Sequence, residues 1–275
     1  MTNEAGIDWT EAFANAEFIP NGMEYPARWK KRAAEFRNTA DNAQLDIAYG
    51  DHPREKLDLF LPAGPVRGLV VIVHGGYWLR FDKSDWSHLA QGAMEHGWAV
   101  CLPSYILAPE AEIPEITRQI GSAITEAAQR IEGPIYLSGH SAGGQLVTRM
   151  MCEDSPLEER VSARIERVVS ISGLHDLRPL KLSQMNSQLG LTDETAAAES
   201  AVLCTPGVGP ELVCWVGNDE RPEFLRQSAL LAERWRTAGI NTRLHVEAGR
   251  HHFDVIDDLT DPESMLVKTL VGERP

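Results

Sequence analysis

The chain is short of several things that would place it among specialised protein classes. No apolar stretch approaches the roughly 18 residues of a membrane-spanning helix. Its first residues, MTNEAGIDWTEAFANAEF, hold neither a basic segment nor the apolar run of a secretory signal. A cytoplasmic protein with no membrane partner is the expectation. Positive charge is also scarce: 26 Lys and Arg against 40 Asp and Glu leave a formal net charge of -14. Phosphate backbones and anionic lipid would be repelled, which argues against nucleic acid as a ligand. Cys101, Cys152, Cys204 and Cys214 form no CxxC pair, and three of them sit in apolar runs, so free buried thiols are expected. There is no H-E-x-x-H, and the adjacent His251 and His252 have no cysteine pair nearby, so no metal is expected.

What is present suffices for a large core. The composition is 43% hydrophobic and 24% charged over 275 residues, in the ordinary globular range. A single domain spanning 1–275 is expected. Residues 44–62 read as an antiparallel hairpin, two alternating segments around a polar, proline-containing turn. Short apolar runs rich in β-branched residues then recur at 68–74, 98–102, 134–138, 167–172, 211–216 and 242–246, the texture of strands buried on both faces. Between them lie helical spacings, such as Ile116, Ile120, Ile124 and Ile131, or Phe224, Leu231 and Trp235. Strands alternating with helices predict an α/β fold with a mostly parallel, doubly wound sheet. Residues 1–43 form an N-terminal extension with a helix from Tyr25 to Asn42 that caps the pocket or serves an interface. Residues 179–209, without a clear strand, have the texture of a cap insertion at the carboxyl edge of the sheet. A homodimer is compatible with all of this.

The chemistry concentrates in three places. Gly139-His140-Ser141-Ala142-Gly143 matches the G-x-S-x-G nucleophile elbow, with a strand running in and a helical pattern running out. Ser141 is the candidate nucleophile. His74-Gly75-Gly76-Tyr77-Trp78 ends another strand, where glycines turn backbone N–H groups toward a carbonyl oxygen. Gly76, Tyr77 and Ala142 are the candidate oxyanion donors, while His74 braces the loop. Tyr77 and Trp78 could contact an aromatic substrate or simply pack. A base is expected after the last strand, at His251 or His252, in a loop before a helix beginning near Phe253. The acid should follow the run ELVCWV, and Gly217-Asn218-Asp219-Glu220 offers two carboxylates. Spacing favours Glu220, with Asp219 the alternative. Asp257, Asp258 and Asp261 read as solvated charges and Asp176 as a less usual acid. His88, His96, His175 and His245 read as structural.

In these features the sequence resembles the animal-type kynurenine formamidase (arylformamidase) family of α/β hydrolases. The likeness rests on Tyr49-Gly50 with Leu57-Asp58-Leu59-Phe60, HGGYW at His74–Trp78, GHSAGG at Gly139–Gly144, SGLHDLRPL at Ser172–Leu180, and PEFLRQS at Pro222–Ser228 with HFD at His252–Asp254. It implies an α/β-hydrolase fold, a cofactor-free triad on Ser141, Glu220 and His252, and a small-molecule substrate, N-formyl-L-kynurenine. It also favours His252 over His251. The family's usual acid is Asp, where this chain has Glu220. A carboxylesterase using the same residues on small acyl or aryl esters is the alternative.

Overall fold

The six apolar segments lie side by side in one eight-stranded sheet, and five fill its interior with both faces covered. The sixth, 242–246, expected to be buried likewise, forms an edge strand that is largely exposed, with Leu244 and Val246 39% and 43% exposed. The computed structural model describes residues 6–207 and 209–273; Met1–Ala5, the head of the expected extension, lie outside the described residues. The strands are β1 (Ala43–Ala48), β2 (Lys56–Phe60), β3 (Leu69–Val73), β4 (Ala99–Pro103), β5 (Ile135–His140), β6 (Ile165–Ile171), β7 (Glu211–Gly217) and β8 (Thr242–Glu247). Their order is β1-β2-β4-β3-β5-β6-β7-β8. β2 is antiparallel to both β1 and β4, which is the expected hairpin, and the other neighbours are parallel. Every residue of β3 and β4 is buried, whereas the edge strand β1 is largely exposed.

The winding reverses at β3, which lies between β4 and β5. Open α/β sheets bind ligands outside the carboxyl ends of strands at such a reversal. Val73 pairs with Gly139, so the chain leaves β3 and β5 side by side and delivers the HGG loop and the G-x-S-x-G turn to one place.

Helices cover both faces. On one lie Ile113–Arg130, Ala142–Arg149 and Pro222–Thr237, whose Ile116, Ile120, Ile124, Leu146, Phe224 and Leu231 share a core with alternate residues of the strands. Each fully buried isoleucine there contributes about 1.5–3 kcal/mol by leaving water. On the other lie Tyr25–Thr39 and Met265–Leu270, packed through Trp29, Leu266, Val267 and Leu270 against Trp86, Trp98 and Trp215. The described residues of 179–209 form four short helical turns and no named strand, joined to the body by an isolated bridge between Cys152 and Pro206.

One local expectation is corrected. No helix begins near Phe253; residues 252–256 are turns, followed by a 3-10 turn at Asp257–Thr260 and a helix only at Met265–Leu270. The Asp254 carboxylate accepts from the His251 N–H at 2.7 Å, and His251 Nδ1 lies 3.2 and 3.3 Å from the N–H groups of Phe253 and Asp254. These local bonds compete with helical ones for the same groups. Among the described residues, no helix is long and apolar enough to cross a membrane.

Candidate active site

Ser141 stands at the end of β5 with φ 56° and ψ -115°, a left-handed backbone that a non-glycine residue adopts only when its surroundings enforce it. The enforcement comes from close backbone packing. A Cβ at Gly139 would lie 2.1 Å from the Gly143 carbonyl oxygen, and one at Gly143 would lie 2.1 Å from that of Val73. Neither position has room for a larger residue. The Ser141 N–H donates to the Ile171 carbonyl at 2.8 Å, tying the turn to β6.

The loop after β3 presses against this turn. Gly75 approaches so closely that a Cβ there would sit 3.1 Å from Ser141 Cβ. Gly76, Tyr77 and Trp78 all have positive φ. Neither the Gly76 nor the Tyr77 N–H meets an acceptor among the described residues. Ala142 is the first residue of its helix, where an N–H has no intrahelical partner. His74 is buried, stacks on Tyr105 and bonds through Nδ1 to the Gly75 carbonyl at 2.8 Å; burial pushes its pKa down to about 4. Trp78 is fully buried and donates from Nε1 to Gln145 at 3.2 Å, so it packs and does not face a ligand.

The two adjacent carboxylates separate cleanly. Glu220 Oε2 accepts from His252 Nδ1 at 2.6 Å, and its Oε1 accepts from the Gly217 N–H at 2.9 Å and from the Ser172 hydroxyl. Asp219 is exposed, with its carboxylate beside the Asn218 amide. Gly217 makes the geometry feasible, since a Cβ there would lie 2.2 Å from the Arg250 carbonyl oxygen. The acid loop thus slides under the histidine loop.

The His252 ring is held between Phe224, at 4.2 Å between centroids, and His140, at 4.6 Å. His140 donates from Nε2 to the His252 carbonyl at 2.8 Å, and burial, reinforced by His252, holds its pKa far below the usual histidine value. His140 is therefore a neutral brace. His251 faces away, with Nε2 3.1 Å from the Tyr25 hydroxyl.

Of the expected 1–43 extension, it is the stretch before the helix that lies over the pocket. The helix Tyr25–Thr39 lies on the opposite sheet face and meets the histidine loop through Tyr25 on His251 and through Tyr25 and Trp29 on Phe253. The stretch before it, residues 8–24, crosses the mouth. Tyr77 donates its hydroxyl proton to the Phe13 carbonyl, and Asn15 Nδ2 donates to the Tyr77 oxygen at 3.1 Å. Phe13 meets Phe224 edge-on at 6.3 Å, and Arg221 holds Glu11 at 3.2 Å. Thr10 Oγ1 accepts from the Gln184 N–H at 3.0 Å, so residues 179–209 support this stretch. Ser141 is left only 2% exposed. The sequence did carry a signal, Asp8 capping Trp9–Ala12 with Trp9 and Phe13 on one side. A cavity of about 230 Å³ remains between Asn15, Phe18 and Ile19 on one wall and residues 219–222 with His252 on the other.

Other candidates fall elsewhere. Asp257 pairs with Arg32 and Asp258 with Arg250, so these are ion-paired and not merely solvated. Asp176 binds Arg178 at 2.8 Å. His175 is buried between Ser170 and Thr148, and His88 is buried with neither ring nitrogen bonded among the described residues. Cys152, Asp154 and Cys204 place ligand atoms within 4.8 Å of one another, remote from Ser141. Arg149 reaches both Asp154, at 2.8 Å, and Cys204, at 3.3 Å, and its fixed positive charge opposes a metal cation there. All four thiols are free, and Cys204 alone is not fully buried.

The fold and this constellation define a hydrolase, and the comparisons with known proteins agree. The chain belongs to the α/β hydrolase fold family, whose pattern matches residues 70–254. It is similar to the kynurenine formamidase of Danio rerio, 28% identical over 88% of this chain and 85% of that one. That likeness bears out the resemblance to the animal-type formamidases. An isoprenylcysteine methylesterase of rice, described as probable, is 25% identical over 82% of this chain and 62% of its own. A solved structure from Silicibacter sp. TM1040, given a provisional thioesterase description, is 48% identical, with a TM-score of 0.91 over 97% of this chain and all of that one.

Proposed function

We propose that the protein is a cytoplasmic serine hydrolase that converts N-formyl-L-kynurenine to L-kynurenine and formate. The observation that carries the reading is the Glu220–His252 contact, tied by the His140 bond to the His252 carbonyl to the turn that bears a strained Ser141, in a chain similar along most of its length to kynurenine formamidases. In this reading Ser141 Oγ attacks the formyl carbon as His252 Nε2 takes its proton. Glu220 holds the imidazole in the tautomer with hydrogen on Nδ1 and stabilises the imidazolium. The oxyanion rests on the N–H groups of Gly76, Tyr77 and Ala142, each worth about 3–4 kcal/mol in the transition state. His252 then protonates the departing aryl nitrogen, and water, activated by the same imidazole, releases formate and restores the serine. An aryl amine is a better leaving group than an alkyl amine, so an esterase-like site suffices.

A second reading, hydrolysis of acyl esters or thioesters by the same residues, is favoured by the methylesterase and thioesterase descriptions of two similar proteins. Steady-state rates on N-formyl-L-kynurenine, p-nitrophenyl acetate and a short acyl thioester separate the two. A kcat/KM for the formamide well above the others, abolished in Ser141→Ala, supports the formamidase. Ester or thioester turnover without formamide hydrolysis rejects it in favour of the second reading.

A further inference from the structure

The thiol pair remote from Ser141 carries chemistry for which hydrolysis has no use. Cys152 follows the helix Ala142–Arg149, and Cys204 closes the turn Ala201–Leu203 in the 179–209 insertion. Paired backbone brings them together. The Glu153 N–H donates to the Thr205 carbonyl at 3.0 Å and the Gly207 N–H to that of Met151 at 2.7 Å, on either side of the Cys152–Pro206 bridge. The two sulfurs lie within 4.8 Å of each other and of an Asp154 carboxylate oxygen.

The sulfurs are not alike. Cys152 is 4% exposed, with its S–H directed at the Thr148 carbonyl, 3.6 Å away. Cys204 is half-buried, and its sulfur lies 3.4 Å from the carbonyl of exposed Ala198 and beside Asp154, whose side chain is 65% exposed. Cys204 is thus the sulfur nearer to water. As a thiol it donates to the Ala198 or Ser200 carbonyl; as a thiolate it accepts from the Cys152 S–H and from Arg149 Nη1 at 3.3 Å. These donors, the neighbouring thiol first, hold the Cys204 pKa below the usual thiol value against the effect of burial, although Arg149 is shared with Asp154 and Glu199. Cys152 is pushed the other way, by its bond to Cys204 and then by burial. The pair gives up a first proton more easily than a second.

We infer that Cys204 and Cys152 form a peroxide-oxidisable dithiol, whose disulfide fastens the 179–209 insertion to the helix that follows Ser141. The thiolate is the form of cysteine that attacks a peroxide. Cys204 Sγ attacks one peroxide oxygen, the O–O bond breaks, and the departing hydroxide takes a proton and leaves as water. The product is a sulfenic acid at Cys204. That step also removes the negative charge that held the Cys152 proton. Cys152 Sγ then attacks Cys204 Sγ: the S–S bond forms, the S–O bond breaks, and hydroxide leaves with the Cys152 proton as a second water. Two thiols have lost two electrons, and one hydrogen peroxide has become two waters. Cys152 needs no access to solvent for its part, and the inference is independent of the substrate of Ser141.

The test exposes the reduced protein to hydrogen peroxide under conditions that oxidise free glutathione and maps the thiols by non-reducing peptide mass spectrometry. The expected product is an intramolecular Cys152–Cys204 crosslink, lighter by two hydrogens and reversed by dithiothreitol. Cys101 and Cys214, whose thiols burial pushes up, should stay unmodified. In Cys152→Ser the reaction should stop at a Cys204 sulfenic acid that dimedone captures, and in Cys204→Ser the Cys152 thiol should survive. Crosslinked wild type should unfold at a higher urea concentration than the reduced chain, because the bond restricts the unfolded state, and neither variant should show that rise. Survival of all four thiols, a crosslink through another pair or between chains, or a wild-type Cys204 that oxidises without closing would overturn the dithiol. A crosslinked chain with the urea midpoint of the reduced one would overturn the fastening.

Discussion

Asp58 and Glu220 are both buried carboxylates, but they have been given opposite kinds of partner. Asp58, wholly enclosed in β2, meets Lys83 Nζ at 3.0 Å, the Arg37 guanidinium, and the Asp46 N–H at 2.9 Å. Two permanent cations fix its charge and tie β1, β2, the helix Tyr25–Thr39 and the turn at Lys83–Asp85 into one cluster. Glu220 has a serine hydroxyl, a backbone N–H and an imidazole, of which only the imidazole can change its charge. The first arrangement is committed to holding structure. In the proposed reaction, the second leaves the carboxylate's full influence for the moment His252 becomes an imidazolium. Burial of a carboxylate thus says little about its use until its partners are known.

The largest expected effect breaks the Glu220 side. His252→Ala should lower kcat/KM on the formamide by about 10⁴-fold or more, as losing the base of a triad does, while thermal stability changes little. Asp58→Ala should show the reverse. It strands Lys83 and Arg37 and should cost about 3–5 kcal/mol of stability in urea unfolding, with kcat of the folded fraction within about threefold of wild type. Loss of activity without loss of stability in Asp58→Ala would erase the contrast.

A third prediction concerns pH. Burial depresses His74 to about 4 and His88 and His175 to about 3, and holds His140 well below 6.5. Below about pH 6.5 the unfolded chain binds protons at these sites that the folded chain refuses, so stability falls as pH drops toward the folded values. Each such histidine contributes about 1.4 kcal/mol per pH unit across that window. His88 touches neither Ser141 nor Glu220, so His88→Phe should flatten the pH dependence between about 6 and 4 by that amount and leave the acid limb of kcat in place. An unchanged slope would mean that His88 is charged or hydrated inside the fold. The smallest effect on turnover is expected of His251→Ala, which loses the Tyr25 contact and the bonds from the Phe253 and Asp254 N–H groups to its Nδ1: about 0.5–1.5 kcal/mol of stability for each bond and less than about threefold in kcat. Losing this neighbour of His252 should cost stability and little turnover.

Legibility in the sequence followed the range of the forces involved. The strands were visible because burial on both faces leaves a continuous apolar run, as in GLVVIVH and RVVSIS. The elbow was visible because contacts near 2 Å admit only glycine at Gly139 and Gly143, and the HGG loop because a Cβ at Gly75 or Gly76 would lie only 2.9 or 2.6 Å from its nearest neighbour, a constraint written in one residue type. The choice between Asp219 and Glu220 was harder, because neighbouring side chains leave the backbone in different directions and spacing alone ranks them weakly. Whether the 1–43 extension covers the pocket or serves an interface stayed open in the sequence. The bonds that lay its residues 8–24 over the site join Phe13 and Asn15 to Tyr77 across more than 60 positions, a range that local spacing does not reach. The helix expected at Phe253 failed for a local reason, the Asp254 and His251 side chains having taken the backbone groups it needed.

The most direct test of the account is the turnover of N-formyl-L-kynurenine by Glu220→Gln, which keeps the shape of the side chain and removes its charge. The account predicts that kcat falls by about 10⁴-fold with unfolding behaviour close to wild type, because a neutral amide no longer fixes the productive tautomer or stabilises the imidazolium. A kcat within about tenfold of wild type would contradict it and show that the carboxylate beside His252 serves the fold, as Asp58 does, and not the reaction.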